Sequence, residues 1–240
     1  MEEYKTDQFL KDINNMGISL NDGQVGKFLR YYEMLIQWNE MMNLTAITDY
    51  ADVMKKHFVD SLSLVRVCDL NGNLSLIDVG TGAGFPGLVL KIAFPELKVT
   101  LLDSLNKRIL FLEEVISELG IHGVDTVHGR AEDYAKQSEL RESFDLCVSR
   151  AVANLSTLSE YCLPFVKLDG LFISYKSERV SEELANAEHA ISQLGGKLEN
   201  QVEFILPDSD IYRNLVMIRK IKSTSIKYPR KAGLPARDPL

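Results

Sequence analysis

No apolar run in this sequence reaches the roughly 18 residues that a membrane span needs, and no transmembrane helix is expected. Cysteine is scarce. Cys68, Cys147 and Cys162 are widely spaced, odd in number and set in apolar patterns, with no C-x-x-C pair. They read as reduced core residues, not as a disulfide framework. The chain has no G-x-S-x-G elbow, which removes the serine-hydrolase reading. No G-K-[ST] follows its glycine cluster, which removes a P-loop. His57 and Asp60 lack the further ligands a metal site requires, so no metal is expected. There is no internal repeat and no low-complexity linker. The opening Met1-Glu2-Glu3-Tyr4-Lys5 is polar and acidic, unlike a signal peptide, and a cytoplasmic protein is expected.

What is present is enough for one sizeable core: 240 residues, 45% of them hydrophobic. Net charge is −7, but it is unevenly spread. From Arg213 onward there are eight basic residues (Arg213, Arg219, Lys220, Lys222, Lys227, Arg230, Lys231, Arg237) and one acid, Asp238. The other 212 residues carry a net of −14. A basic tail on an acidic body is a pattern that contacts phosphate. Lys176 is a further candidate phosphate contact.

The first third of the chain is helical in pattern. Residues 6–17 suggest a short helix ending at Gly17. Asn21 with Gln24 three residues on resembles a capping box, and apolar residues from Val25 to Ile36 then recur at helical spacing over 22–41. After the polar break Asn43-Leu44-Thr45, a third helix is expected from about Asp52 to Cys68. His57, Asp60 and Ser61 would share one face of it.

From Leu74 on, strand and helix patterns alternate. Strands are expected at 75–79, 98–102, 124–127, 144–148, 170–175, 199–205 and 213–219, and helices at 86–94, 106–119, 131–137, 155–163 and 178–194. This predicts an α/β, Rossmann-like fold with a seven-stranded, mostly parallel sheet. Only Pro207–Tyr212 separate the last two strands, too few for a helical crossover, so these form a C-terminal antiparallel hairpin. The expected organisation is an N-terminal helical extension (1–70), a main domain (71–222) and a basic tail (223–240). The Pro and Gly spacing of 227–235 argues against regular structure there.

The chain is organised around Asp78-Val79-Gly80-Thr81-Gly82-Ala83-Gly84-Phe85-Pro86-Gly87, a strand end, a glycine turn and a helix start. Glycines let a ligand approach the backbone, and the helix start offers N–H groups to an anion. Gly82-Ala83-Gly84-Phe85-Pro86-Gly87 matches G-x-G-x-x-G, and Asp103 follows Gly82 by 21 residues. Both features suit a dinucleotide or S-adenosylmethionine, with Asp103 on the ribose hydroxyls. The upstream Asp78-x-Gly80, the closing hairpin, and Asp103-Ser104 and Ala131-Glu132 at the ends of the second and third strands favour S-adenosylmethionine. The expected cofactor residues are Gly80, Thr81, Gly82, Phe85, Asp103, Ser104, Ala131 and Glu132. Arg150, at the end of the fourth strand, joins them because the first and fourth strands should lie side by side. The competing functions are a nicotinamide-dependent oxidoreductase and a non-catalytic RNA-binding or assembly factor.

Several segments together resemble a known family. They are Asn43-Leu44-Thr45, His57-Phe58-Val59-Asp60-Ser61, the glycine loop, Asp103-Ser104-Leu105-Asn106-Lys107-Arg108, Gly129-Arg130-Ala131-Glu132, Ser149-Arg150-Ala151-Val152-Ala153 and Tyr228-Pro229-Arg230-Lys231. The chain resembles the bacterial small-subunit ribosomal RNA methyltransferase G family, also called glucose-inhibited division protein B, over nearly its whole length. The resemblance implies transfer of a methyl group from S-adenosylmethionine to N7 of a guanine in 16S rRNA of the small ribosomal subunit; a monomer is expected. It also implies a base pocket walled by Asn43, His57, Asp60 and Ser61, with Arg150 near the cofactor and the incoming base. Arg150 would stack on guanine or donate to its acceptor edge, and Asp60 would stabilise the positive charge placed on the purine.

Overall fold

Asn21 and Gln24 open the longest helix with a reciprocal cap. The Asn21 side chain accepts from the Gln24 N–H at 2.9 Å, and the Gln24 side chain accepts from the Asn21 N–H at 3.0 Å. This box satisfies donors that the first helical turn leaves open. Gln24 Nε2 also donates to the Ile92 and Ala93 carbonyls at 2.8 and 3.0 Å, so one side chain starts a helix and ends another. The computed structural model describes residues 4–137, 139–150, 152–178 and 180–240. Its first two helices are α1 (Asp7–Asn14) and α2 (Asp22–Met42).

The expected third helix is not uniform. It runs as α3 (Tyr50–Val53), a π-helical turn (Met54–Val59), α4 (Asp60–Leu62) and a 3₁₀ turn (Ser63–Arg66). The π turn shifts the register of every side chain after it, and such turns concentrate at functional sites. His57 and Asp60 therefore do not follow simple α-helical spacing.

Seven strands follow: β1 (Ser75–Val79), β2 (Lys98–Asp103), β3 (Val124–His128), β4 (Phe144–Arg150), β5 (Val166–Lys176), β6 (Gly196–Ile205) and β7 (Tyr212–Lys220). They form one sheet in the order β3-β2-β1-β4-β5-β7-β6. The first five are parallel, and β7 pairs antiparallel with both β5 and β6. Asp78 of β1 stands beside Val148 of β4, where strand order reverses and ligands of open α/β sheets bind. The crossovers are α5 (Gly87–Ala93), α6 (Asn106–Glu118), α7 (Ala131–Tyr134), α8 (Leu155–Cys162) and α9 (Ser181–Gln193).

The sheet separates two apolar clusters. On one face the N-terminal helices share a core with α5 and α6 through Phe28, Tyr31, Phe58, Phe85 and Phe111. Phe28 and Phe58 are fully buried, each worth about 1.5–3 kcal/mol of transfer free energy. The other face packs α8, α9 and Tyr228. All three cysteines are free thiols; Cys147 and Cys162 are buried and Cys68 is half-buried.

The basic C-terminal segment departs from the reading of a phosphate-binding tail without regular structure. It ends in a short helix, α10 (Leu234–Arg237). Four of its eight cations are paired inside the molecule: Arg213 with Asp60, Arg219 with Glu199, Lys220 with Glu142 and Arg230 with Glu160. Lys220 is fully buried and donates to the Leu163 carbonyl at 2.7 Å. Burial lowers its pKa to about 8, against the opposing pull of Glu142. Lys176 is likewise committed, to Glu183 at 2.7 Å and the Ala153 carbonyl at 3.2 Å.

Candidate active site

Asp78 organises the turn after β1. Its Oδ2 accepts from Thr81 Oγ1 at 2.7 Å and from the Gly87 N–H at 2.8 Å. The first N–H of α5 is therefore taken by the protein's own carboxylate, and the anion served by this helix start is internal. Burial raises the Asp78 pKa to about 6; the Thr81 and Gly87 hydrogen bonds and Arg150 oppose the shift. Gly80 has φ +73°, and a Cβ there would lie 2.6 Å from Val152 Cγ2. Only glycine takes that conformation without strain. A Cβ on Gly82, at φ +61°, would meet nothing within 4 Å. Open space lies over that residue.

Asp103 ties the turn to the next helix. Its Oδ2 accepts from the Gly82 N–H at 2.9 Å and from Arg108 at 3.1 Å, and its Oδ1 accepts from the Leu105 N–H at 2.9 Å. It lines, with the glycine turn, a cavity of about 560 Å³ that also takes in Ser104, Ala131 and Glu132. Glu132 accepts from the Gly233 N–H at 2.8 Å, and Ala236 reaches the cavity wall. The C-terminal segment closes this end of the crevice.

At the other end, Phe85 stacks on His57 with ring centroids 4.5 Å apart and planes 16° from parallel. The Arg150 guanidinium sits 5.2 Å above the Phe85 ring centroid. Arg150 Nη1 donates to Asp60 Oδ2 at 2.9 Å, and Arg213 Nε donates to Asp60 Oδ1 at 2.7 Å. Arg150 Nη2 lies 3.3 Å from His57 Nδ1, and His57 Nε2 lies 2.9 Å from Thr45 Oγ1. Burial, aided by the Arg150 charge, lowers the His57 pKa to about 3, with the Lys56 carbonyl opposing and Arg213 adding a little. The imidazole is neutral at physiological pH. Beyond it opens a second cavity of about 700 Å³, lined by Lys56, Asp60, Lys176 and Arg213 among others. His57 and Arg150 line both cavities.

The chain matches the family model described as GidB, rRNA small subunit methyltransferase G, over residues 24–212. A protein named Ribosomal RNA small subunit methyltransferase G from Lachnoclostridium phytofermentans is 52% identical over 232 residues, 97% of this chain and 96% of that one. A protein of the same name from Thermoanaerobacter sp. is 49% identical over the full length of both. The chain belongs to the rRNA small subunit methyltransferase G family. In fold it is similar to a SAM-dependent methyltransferase from Aquifex aeolicus, with TM-score 0.53 and 19% identity over 72% of this chain and 94% of that one.

The crevice fits the S-adenosylmethionine of this methyltransferase family. Its volume is within the usual ligand range of about 300–1,000 Å³, Gly82 leaves its floor open, and acidic side chains on β2 and α7 stand along one wall. The structure brings together Gly80, Thr81, Gly82, Phe85, Asp103, Ser104, Ala131, Glu132 and Arg150 around one cavity, with His57 at its inner end. Asp60 stands behind Arg150 in the second cavity. Each Asp60 oxygen accepts from a guanidinium group, so this carboxylate holds the two arginines in place.

Asn43 lies outside the linings of both cavities. It is exposed, ends α2 at φ 50° and donates its N–H to the Asn39 carbonyl. Ala151 of the Arg-Ala-Val-Ala segment lies outside the described residues. Sequence reasoning gave Thr45, Val152 and Ala236 no individual role and read Arg213 only as part of the basic tail. Thr45 and Val152 belong to family segments, but nothing in their residue type pointed to a role. The pairing of Arg213 and the place of Ala236 carried no local signal, because what they meet is far away in the chain.

Proposed function

We propose that this protein transfers a methyl group to N7 of a guanine in 16S rRNA of the small ribosomal subunit. The observation that carries the reading is the shared wall: His57 and Arg150 separate a crevice over the glycine turn from a second cavity flanked by Lys56 and Arg213. The names of the full-length relatives support the ribosomal substrate. When bound, S-adenosylmethionine supplies an electrophilic methyl group carried on a sulfonium sulfur. Gly80, Thr81, Gly82, Phe85, Asp103, Ser104, Ala131, Glu132 and Arg150 would hold it.

Guanine N7 has a free lone pair and no proton, so no general base is required. His57 fits that absence: it is neutral and hydrogen-bonded on both sides. The chain's contribution is alignment, which can supply on the order of 7–11 kcal/mol, and a preorganised field. Asp60 and Thr45 clamp Arg150 and His57, so the base would meet a wall that does not reorganise. Asp60 with Arg150, Arg213 and the neutral His57 leaves one net positive charge beside the second cavity, which favours an anionic RNA. Asn43 would act only through the turn it caps, which delivers Thr45.

Purified protein incubated with labelled S-adenosylmethionine and unmodified small ribosomal subunits, followed by mass mapping of the RNA, tests the reading. One labelled guanine bearing the methyl on N7 is the expected result. Label elsewhere, or none while S-adenosylhomocysteine still binds, would remove it.

A further inference from the structure

The Ala83 carbonyl lacks both donors that the following turn would ordinarily bring to it. Four residues on, the Gly87 N–H is taken by Asp78 at 2.8 Å. Three residues on stands Pro86, which has no N–H. Ala83 is 4% exposed, and a buried carbonyl left without a donor is costly. The Tyr31 hydroxyl, 52 positions earlier on α2, donates to it. Among the described residues no other hydrogen bond reaches this carbonyl. The peptide that carries it is pinned from its other side too, because the Gly84 N–H donates to the Thr81 carbonyl at 3.0 Å. Ala83 lines the cofactor crevice together with Gly82 and Phe85.

We propose that Tyr31 is a positioning residue for S-adenosylmethionine, holding the glycine turn in the conformation that leaves the crevice open. The inference rests on the assignment of that crevice to S-adenosylmethionine. The turn does not hold itself. Gly82 and Gly84 have φ +61° and +96°, and glycine reaches such conformations and their alternatives at similar cost. With Tyr31 in place, the Ala83 carbonyl points into the core. Without the hydroxyl, the same carbonyl gains by turning toward crevice water, into the space that the ligand needs. A Cβ on Gly84 would overlap Tyr31 Oη, so the hydroxyl is seated against the backbone of the turn. The ring is fully buried; it stacks on Phe58 with centroids 5.4 Å apart and planes 27° from parallel, and its centroid lies 5.7 Å from that of Phe85. Phe85 in turn carries His57. One side chain of the helical arm thus sets the floor of the crevice and backs its inner wall.

The test separates the hydroxyl from the ring and from the stability of the arm. Calorimetry measures S-adenosylhomocysteine binding to the wild type, Tyr31→Phe, Tyr31→4-aminophenylalanine and Ile13→Ala, the last a change at a buried α1 residue. Tyr31→Phe keeps the ring and should weaken binding by about 3- to 10-fold, as the competent turn becomes a fraction of the population. The 4-amino group returns a donor to the same place and should restore the affinity. Ile13→Ala should lower the urea midpoint and leave the affinity unchanged. In steady state, KM for S-adenosylmethionine should rise in Tyr31→Phe by the same factor as the dissociation constant. Its kcat at saturating substrates should match the wild type, because bound ligand repopulates the turn. Urea midpoints report that each variant is folded. Unchanged affinity in Tyr31→Phe, an equal loss in Ile13→Ala, or a fall in kcat at unchanged KM would overturn the assignment while leaving the crevice to S-adenosylmethionine. Failure of the wild type to bind S-adenosylhomocysteine would overturn both.

Discussion

Asp60 and Arg150 form an ion pair at 2.9 Å, between a buried carboxylate and a half-buried guanidinium, that joins the N-terminal helical arm to the end of β4. The two residues lie 90 positions apart. A buried pair whose members keep further hydrogen bonds is costly to break, because one charge is left without its partner. Asp60→Asn should therefore lower stability in urea by about 3–5 kcal/mol, since Arg213 also loses its carboxylate. Arg150→Met in the Asp60→Asn background should cost less than it does alone, with a coupling of about 0.5–3 kcal/mol. Additive losses would show that the pair is not a unit.

Arg150→Lys separates charge from geometry. Lysine keeps the cation but not the planar fork that reaches Asp60, the Lys56 carbonyl and His57 together. Methyl transfer should fall while S-adenosylhomocysteine affinity changes less. An unchanged rate with saturating substrates would show that charge alone suffices.

Gly80→Ala should be harmful for two reasons with separable cures. The residue has φ +73°, and its new methyl would lie 2.6 Å from Val152 Cγ2. The backbone conformation costs about 1–2 kcal/mol for a non-glycine residue, and the clash adds to it. Val152→Ala in the same chain should relieve the clash only. Calorimetry with S-adenosylhomocysteine should then show weak binding in Gly80→Ala and partial recovery in the double variant. Full recovery would mean that the φ angle carries no cost.

A buried carboxyl and a half-buried imidazole pull stability in opposite directions with pH. The Asp78 pKa is raised to about 6 from an ordinary 3.8, so the folded state holds the proton more tightly. Stability from this group falls as pH rises from about 4 to 6. The His57 pKa is lowered to about 3 from 6.5, so the unfolded state binds the proton more tightly. Its contribution is present above pH 6.5 and is lost as pH falls toward 3. Each slope is bounded by about 1.4 kcal/mol per pH unit. Relative to wild type, His57→Gln should gain stability as pH falls from 6.5 to 4, and Asp78→Asn should gain it as pH rises from 4 to 6. Urea melts at pH 4.5, 5.5 and 7 measure both signs. Parallel profiles for all three proteins would refute the assignment.

Local rules were readable where the physics is local. The Asn21–Gln24 box spans three residues, and both of its hydrogen bonds form. The strand, glycine turn and helix around Gly80 follow from periodicity and φ requirements, and the place of β1 beside β4 follows from topology. The π turn at Met54–Val59 had no such signal, because it answers to tertiary contacts such as the stacking of His57 on Phe85. Charge was the least readable property. Arg213, Arg219, Lys220 and Arg230 read as a phosphate-seeking run because a sequence displays a side chain's charge and hides its partner. Their partners Asp60, Glu199, Glu142 and Glu160 lie up to 153 positions away.

These internal pairs determine what truncation should do. Ending the chain after Lys220 removes the Arg230 guanidinium from Glu160, a carboxylate only 1% exposed, and the Gly233 N–H from Glu132. It also strips the buried Tyr228 ring from the α8–α9 face. The expected result is a destabilised protein without part of its crevice wall, with S-adenosylhomocysteine affinity reduced before RNA is considered. Any phosphate binding by this segment has to come from the cations that pair with no acid among the described residues, Lys222, Lys227 and Lys231 among them. Changing these three to Gln should leave the urea midpoint within error. If they touch RNA, the slope of log affinity against log salt should drop by about 0.7 for each phosphate no longer neutralised, the value for single-stranded sites. An unchanged slope would move the RNA footprint off this segment and onto the face around Lys56 and Arg213.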